Sequence, residues 1–157
     1  MRILCAVGTQ GGVELIRRLA EITGPRHELF LLHVIDTGPR RELEGFLHRP
    51  GPRGRPAPPP ERDRQIDAPE EAAGQAALQE ARQAAEQAGF TVQVDLQRGR
   101  PEQVIVQRAR EGQCQLVAIQ NNEGAQGRPQ IGPESVGHTA RFVLDHAPCD
   151  VLLLREG

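Results

Sequence analysis

Residues 124–154 read GAQGRPQIGPESVGHTARFVLDHAPCDVLLL. That order predicts a glycine-bearing loop, a helix near Pro133 to Ala147 and a last strand near Val151 to Leu154. Gly124 and Gly127 are separated by two residues, nine more follow, and Gly137 and His138 come where the helix is beginning. The layout suits a phosphate, because glycines let the backbone approach an anion and the unpaired amides and dipole of a helix N-terminus supply donors without a charged side chain. The competing reading is that these glycines only make turns.

Upstream of the loop, Leu116 to Ile119 is a short apolar run of the kind buried in a parallel sheet. Arg100-Pro101-Glu102 opens a helix that carries Val104, Ile105 and Ala109 inward and closes at Gly112. Phe90, Val92, Val94 and Leu96 alternate with polar residues, which predicts a strand with one exposed face at a sheet edge. The helix before it starts at Asp67-Ala68-Pro69-Glu70-Glu71, with a capping oxygen, an early proline and acids in the first turn. It runs through Ala73, Ala77, Ala81, Ala84 and Ala88 to Gly89.

At the other end of the chain, Ile3 to Val7 is a second continuous apolar run, ending in Gly8. A helix follows with Val13, Ile16, Leu19 and Ala20 on one stripe, stopped by Gly24-Pro25. Glu28 to Ile35 is the next strand, and His33 inside it reads as a core histidine with a satisfied ring nitrogen rather than a catalyst. Strand, helix and strand with short joints form a right-handed βαβ unit. Five strands alternating with four helices give one doubly wound α/β domain over residues 1–157.

Between about 38 and 68 the pattern disappears. Proline and glycine are dense there, so an extended, flexible insertion is expected, with one short helical turn at Glu42 to His48. Gly38 to Arg64 holds seven arginines against Glu42, Glu44, Glu61 and Asp63, a local excess of +3. An arginine in this segment reaching a phosphate as a lid, a contact with a protein partner, and a solvated loop without a role are the three readings.

Composition excludes several classes. A formal charge of -2 and a pI near 6.2 do not advertise nucleic acid. No apolar run suits a secretory leader or a membrane span, so a cytoplasmic location with no membrane association is expected. All 19 basic residues are arginine, which removes Schiff-base chemistry and a P-loop lysine. Cys5, Cys114 and Cys149 form no metal or redox motif and are expected to be reduced and buried.

The tail quoted above resembles the universal stress protein family, whose members end in G-x2-G-x9-G-[ST], a helix, an A-P-C-P-V-like turn and a last apolar strand. Gly124, Gly127 and Gly137 match the glycines, and His146-Ala147-Pro148-Cys149-Asp150-Val151 matches the turn. Arg2-Ile3-Leu4-Cys5-Ala6-Val7 is similar to the family's first strand, and Leu31-Leu32-His33-Val34-Ile35-Asp36 to its second. The resemblance implies a five-stranded parallel sheet of order 3-2-1-4-5, of the adenine-nucleotide alpha-hydrolase-like kind. It also implies an adenine-nucleotide-binding stress-response or signalling module acting as a dimer, with ATP or AMP as ligand and magnesium accompanying ATP. Ligands in such a sheet sit where the strand order reverses.

Carried over residue by residue, the first loop contributes Val7, Gly8 and Thr9, and Val34 matches an adenine-contacting valine. Ile119 and Gln120 end the fourth strand, and Gly124, Gly127, Gly137, His138 and Thr139 form the phosphate loop. The chain departs from the family at Gly8, where an aspartate is usual, and at His138, where serine or threonine is usual. His138 as a phosphate donor and His138 as decoration of a helix turn remain open, with Thr139 supplying the hydroxyl in the first case. Aligned from the strand, Gln120 and Glu123 fall in glycine positions instead, and a Glu123 carboxylate would repel phosphate.

An apolar edge strand at Val151 to Leu154 needs covering, which predicts a two-fold homodimer through it. The alternative function is a scaffold that binds no nucleotide and contacts a protein through the 38–68 insertion. No nucleophile with a paired base is visible, so no catalytic residue is assigned and at most slow ATP hydrolysis is expected.

Overall fold

The computed structural model describes residues 1–37, 61–121 and 136–155, with the backbone alone for 61–67. Its strands are β1 (Arg2–Ala6), β2 (Glu28–Asp36), β3 (Thr91–Gly99), β4 (Leu116–Asn121) and β5 (Asp150–Arg155). The helices among the described residues are α1 (Gly12–Thr23), α2 (Glu61–Gln87), α3 (Pro101–Glu111) and α4 (His138–His146). All neighbouring strands are parallel, in the order β3-β2-β1-β4-β5. The expected strand order is therefore the one observed.

Alternation along β1 divides the core. Ile3 and Cys5 face a cluster with Leu15, Ile16 and Leu19 of α1, Leu29 and Leu31 of β2, and Ala81 and Ala85 of α2. Leu4 faces the opposite cluster, with Leu32, Ile105 and Ala109 of α3, Val117, and Val143 of α4. A strand buried on both faces has no polar alternation, which is why Ile3 to Val7 was readable as central. Each fully buried Leu or Ile contributes about 1.5–3 kcal/mol of transfer free energy.

Four local expectations need correction. Val13 is 49% exposed, and Leu15 takes its place beside Ile16 and Leu19. Gly12 explains the phase, since a Cβ there would stand 2.8 Å from Val7 Cγ1 and 3.4 Å from the Ala81 Cβ. The start of α1 thus seats its glycine, not Val13, against the core. Second, α2 begins at Glu61, so residues 61–68 are helical and Pro69 lies inside the helix. Glu, Arg, Gln and Ala are good helix formers, and their turn precedes the proline. Third, α4 begins at His138 with Gly137 as its N-cap, later than the expected start near Pro133. Fourth, Cys149 is only partly buried, while Cys5 and Cys114 are buried as expected, and all three are free thiols.

β3 is an edge strand, as its alternation indicated, but Val94, on the apolar side of that alternation, is 46% exposed, while Phe90, Val92 and Leu96 join the first cluster. β5 is the other edge, and its apolar residues serve both faces: Leu152 and Leu154 join the first cluster, Val151 and Leu153 the second. The turn at Glu42 to His48 and the arginines of 38–60 lie outside the described residues. Among the described residues no helix is long and apolar enough to cross a membrane.

Candidate functional site

The strand order reverses between β1 and β4, so the C-terminal ends of these strands open a crevice. β1 leaves the sheet at Val7, whose N–H still donates to Leu32 O at 2.8 Å. Gly8 and Thr9 follow, half-buried and exposed. The Val7 side chain is buried in the α1/α2 cluster. It borders the crevice through its backbone alone.

Strand alternation sorts the remaining residues. Val34 and Ile119 pack on the α3/α4 face, with Ala6 between their strands on β1. α4 covers that same face, bringing Gly137 and its first turn over the strand ends. Gln120 points the other way: a Cβ at Gly11 would lie 2.6 Å from Gln120 Oε1, so this carboxamide rests on the start of α1. Val34 and Ile119 therefore share the α3/α4 face with the helix whose start carries Gly137, His138 and Thr139, while Val7 and Gln120 face the other way. Gly124, Gly127 and Glu123 lie outside the described residues.

The polar groups around the α4 N-terminus were not legible in advance. Asn121, the last residue of β4, accepts from the Gly137 N–H through Oδ1 at 3.2 Å. That amide is one of the donors a phosphate would use. Glu102, in the first turn of α3, lies with its Oε1 3.9 Å from His138 Nε2. The Glu102 side chain is 12% exposed and the His138 side chain 82%. A largely buried carboxylate at this place opposes an incoming phosphate. No sequence signal marked either Asn121 or Glu102, since neither has a motif around it.

At the end of β2 the buried Thr37 hydroxyl has no hydrogen-bond partner among the described residues, next to the point where Thr37 N–H meets Gly99 O at 3.0 Å. On the opposite face His33 is buried, with Nδ1 2.8 Å from Val7 O. The core reading of this histidine holds. Among the described residues no group of three His, Cys, Asp or Glu side chains is placed to hold a metal ion.

Val34 is half-buried and Ile119 is 3% exposed at the strand ends, while the Gly137 amide is engaged by Asn121 and the Glu102 carboxylate stands near His138. Gly8 supplies no acceptor of its own beyond backbone.

The family model for the universal stress protein family matches residues 1–155. Among solved structures, the hypothetical protein MJ0577 superposes with a TM-score of 0.69 at 20% identity, covering 99% of this chain and 96% of that one. A universal stress protein family protein from Arabidopsis thaliana, solved with AMP bound, gives a TM-score of 0.62 at 15% identity, covering 100% and 92%. The universal stress protein from Archaeoglobus fulgidus in complex with dAMP gives 0.57 at 18% identity, covering 98% and 96%. A comparison with curated proteins gives no match.

Proposed function

Because the chain belongs to the universal stress protein family, we propose that it is an adenine-nucleotide-binding stress-response or signalling module acting as a homodimer. The observation that carries the reading is the grouping of Val34, Ile119 and the α4 N-terminus on one face of the β1/β4 crevice. The base stacks against the apolar strand ends, and the phosphate end points toward Gly137 to Thr139. AMP and dAMP, bound by two of the structural neighbours, share adenine and a single phosphate. A single phosphate also asks least of a site that holds Glu102, so AMP is the favoured ligand and ATP with magnesium the second. The dimer forms through β5, whose apolar residues end the sheet; a monomer at micromolar concentration in sedimentation would contradict that part.

Equilibrium dialysis against AMP and ATP, with and without magnesium, tests the reading. The chain has no tryptophan or tyrosine, so bound nucleotide stands out near 260 nm. Binding tighter than about 100 μM corresponds to roughly -5.5 kcal/mol, and Gly137→Leu should abolish it while the protein stays folded. Absence of binding favours the second reading, a scaffold working through its insertion, for which the Asn121 cap on Gly137 is the supporting observation.

A further inference from the structure

We propose that His33 is a positioning residue for the first ligand loop, turning the Val7–Gly8 peptide so that the Gly8 N–H is presented to the crevice between β1 and β4. The inference rests on the nucleotide-binding reading of that crevice and names the group by which this loop addresses the ligand.

His33 lies on the α1/α2 face of β2, buried to 6% exposure. A carbonyl oxygen only accepts, so the 2.8 Å contact with Val7 O requires the proton on Nδ1. Ala6 is the last β1 residue paired with β2, opposite Leu32. One step on, Val7 N–H still reaches Leu32 O. The N–H and C=O of one strand residue point to the same neighbour, so Val7 C=O also points to the β2 side, and there the imidazole takes it. In a trans peptide the C=O and the following N–H point in opposite directions. Holding Val7 O toward β2 therefore aims Gly8 N–H toward β4, into the place where the strand order reverses.

The ring is pinned from above. A Cβ on Gly74 of α2 would stand 2.5 Å from His33 Cδ2 and 2.9 Å from Nε2. Glycine at position 74 lets the helix close onto the imidazole and keeps it against Val7. Gly8 carries no side chain, so its amide is the polar group this loop can offer a ligand at that point. An imidazole that fixes the amide's direction compensates for the missing side chain.

The test uses the full chain and three measurements. Long-range ¹⁵N NMR of the wild type should show an imidazole protonated at Nδ1 alone at pH 8, and a ring protonated at Nε2 alone would overturn the proposal whether or not nucleotide binds. His33→Leu removes the donor and keeps an apolar filler; His33→Asn keeps an N–H donor near the Nδ1 position. AMP affinity should fall about tenfold in His33→Leu and stay within about threefold of wild type in His33→Asn, the range expected for one hydrogen bond. Equal affinities in wild type and His33→Leu, or equal losses in both variants, would overturn it, because packing alone favours the leucine. The Gly8 amide resonance of the nucleotide-free protein should move in His33→Leu and return in His33→Asn. Should wild type bind no AMP, this resonance and the tautomer decide the positioning role, and only the nucleotide reading falls. If His33→Leu does not fold, the wild-type tautomer and the AMP affinity of His33→Asn decide between the two outcomes.

Discussion

Gly74→Ala sets two magnitudes against each other. Helix propensity favours alanine over glycine inside α2 by about 1 kcal/mol. The new methyl would meet His33 Cδ2 at 2.5 Å, Nε2 at 2.9 Å and Leu96 Cδ1 at 3.1 Å. Leu96 can give by a few tenths of an ångström. The imidazole cannot retreat without stretching its 2.8 Å bond to Val7 O. Overpacking costs about 1–3 kcal/mol, and a weakened buried hydrogen bond adds about 1 kcal/mol. The steric side wins, leaving a net loss of about 1–3 kcal/mol, with a fall in Tm of about 2–4 °C per kcal/mol. Urea unfolding followed by far-UV circular dichroism is the assay, since the chain lacks the fluorophores tryptophan and tyrosine. In a His33→Asn background the shorter side chain leaves room and the same exchange should stabilise. That sign reversal is a coupling between the two positions. A Gly74→Ala protein as stable as wild type in the original background would refute the argument that α2 presses on a fixed ring.

Burial pushes the Cys5 thiol up to about 12 from the ordinary 9.0, with Cys114 adding to the shift. Below about pH 9 both folded and unfolded chains keep this proton; above it only the unfolded thiol ionises, so stability falls as pH rises from about 9 toward 12. Cys5→Ala should start less stable because of the space it leaves, yet lose less between pH 8 and 10.5 in urea titrations; an equal loss would show that Cys5 is not the group responsible. Glu102→Gln removes the carboxylate near His138 and should tighten AMP severalfold at low salt while leaving adenosine unchanged, as measured by calorimetry. Asn121→Ala removes the acceptor on Gly137 N–H, costs about 1 kcal/mol in urea unfolding, and should raise the ratio of AMP to adenosine affinity, because the freed amide serves the phosphate.

The layering was accessible from residue type because the central strands have nothing to hide, whereas the strand order came from the family resemblance, since periodicity does not carry it. Leu4 and Cys5 face opposite clusters, so a run of apolar residues closed by Gly8 could only be an interior strand. Val13 misled because apolar spacing does not reveal the phase that Gly12 sets by approaching Val7 and Ala81. Pro69 misled because a proline reads as a helix start, whereas the turns before it carry their own helix formers. The site was half legible. Val34 and Ile119 came from the family resemblance, and the structure puts both on the α3/α4 face of the sheet. The hold of Asn121 on Gly137, 16 residues on, depends on how α4 lands on the strand ends. The grip of His33 on Val7, across 26 residues, depends on where β1 leaves the ladder. Contacts of that kind are properties of the assembled sheet.

The most direct test of the central claim is an AMP titration followed by ¹H–¹⁵N correlation spectra of the wild type. Nucleotide binding at this site predicts shifts concentrated at Gly8, Thr9, Val34, Ile119, Gln120, Gly137, His138 and Thr139, at the C-terminal ends of the strands. Shifts confined to the opposite end of the sheet, around Arg2, Glu28 and Gln115, or no shifts at millimolar AMP, would contradict it.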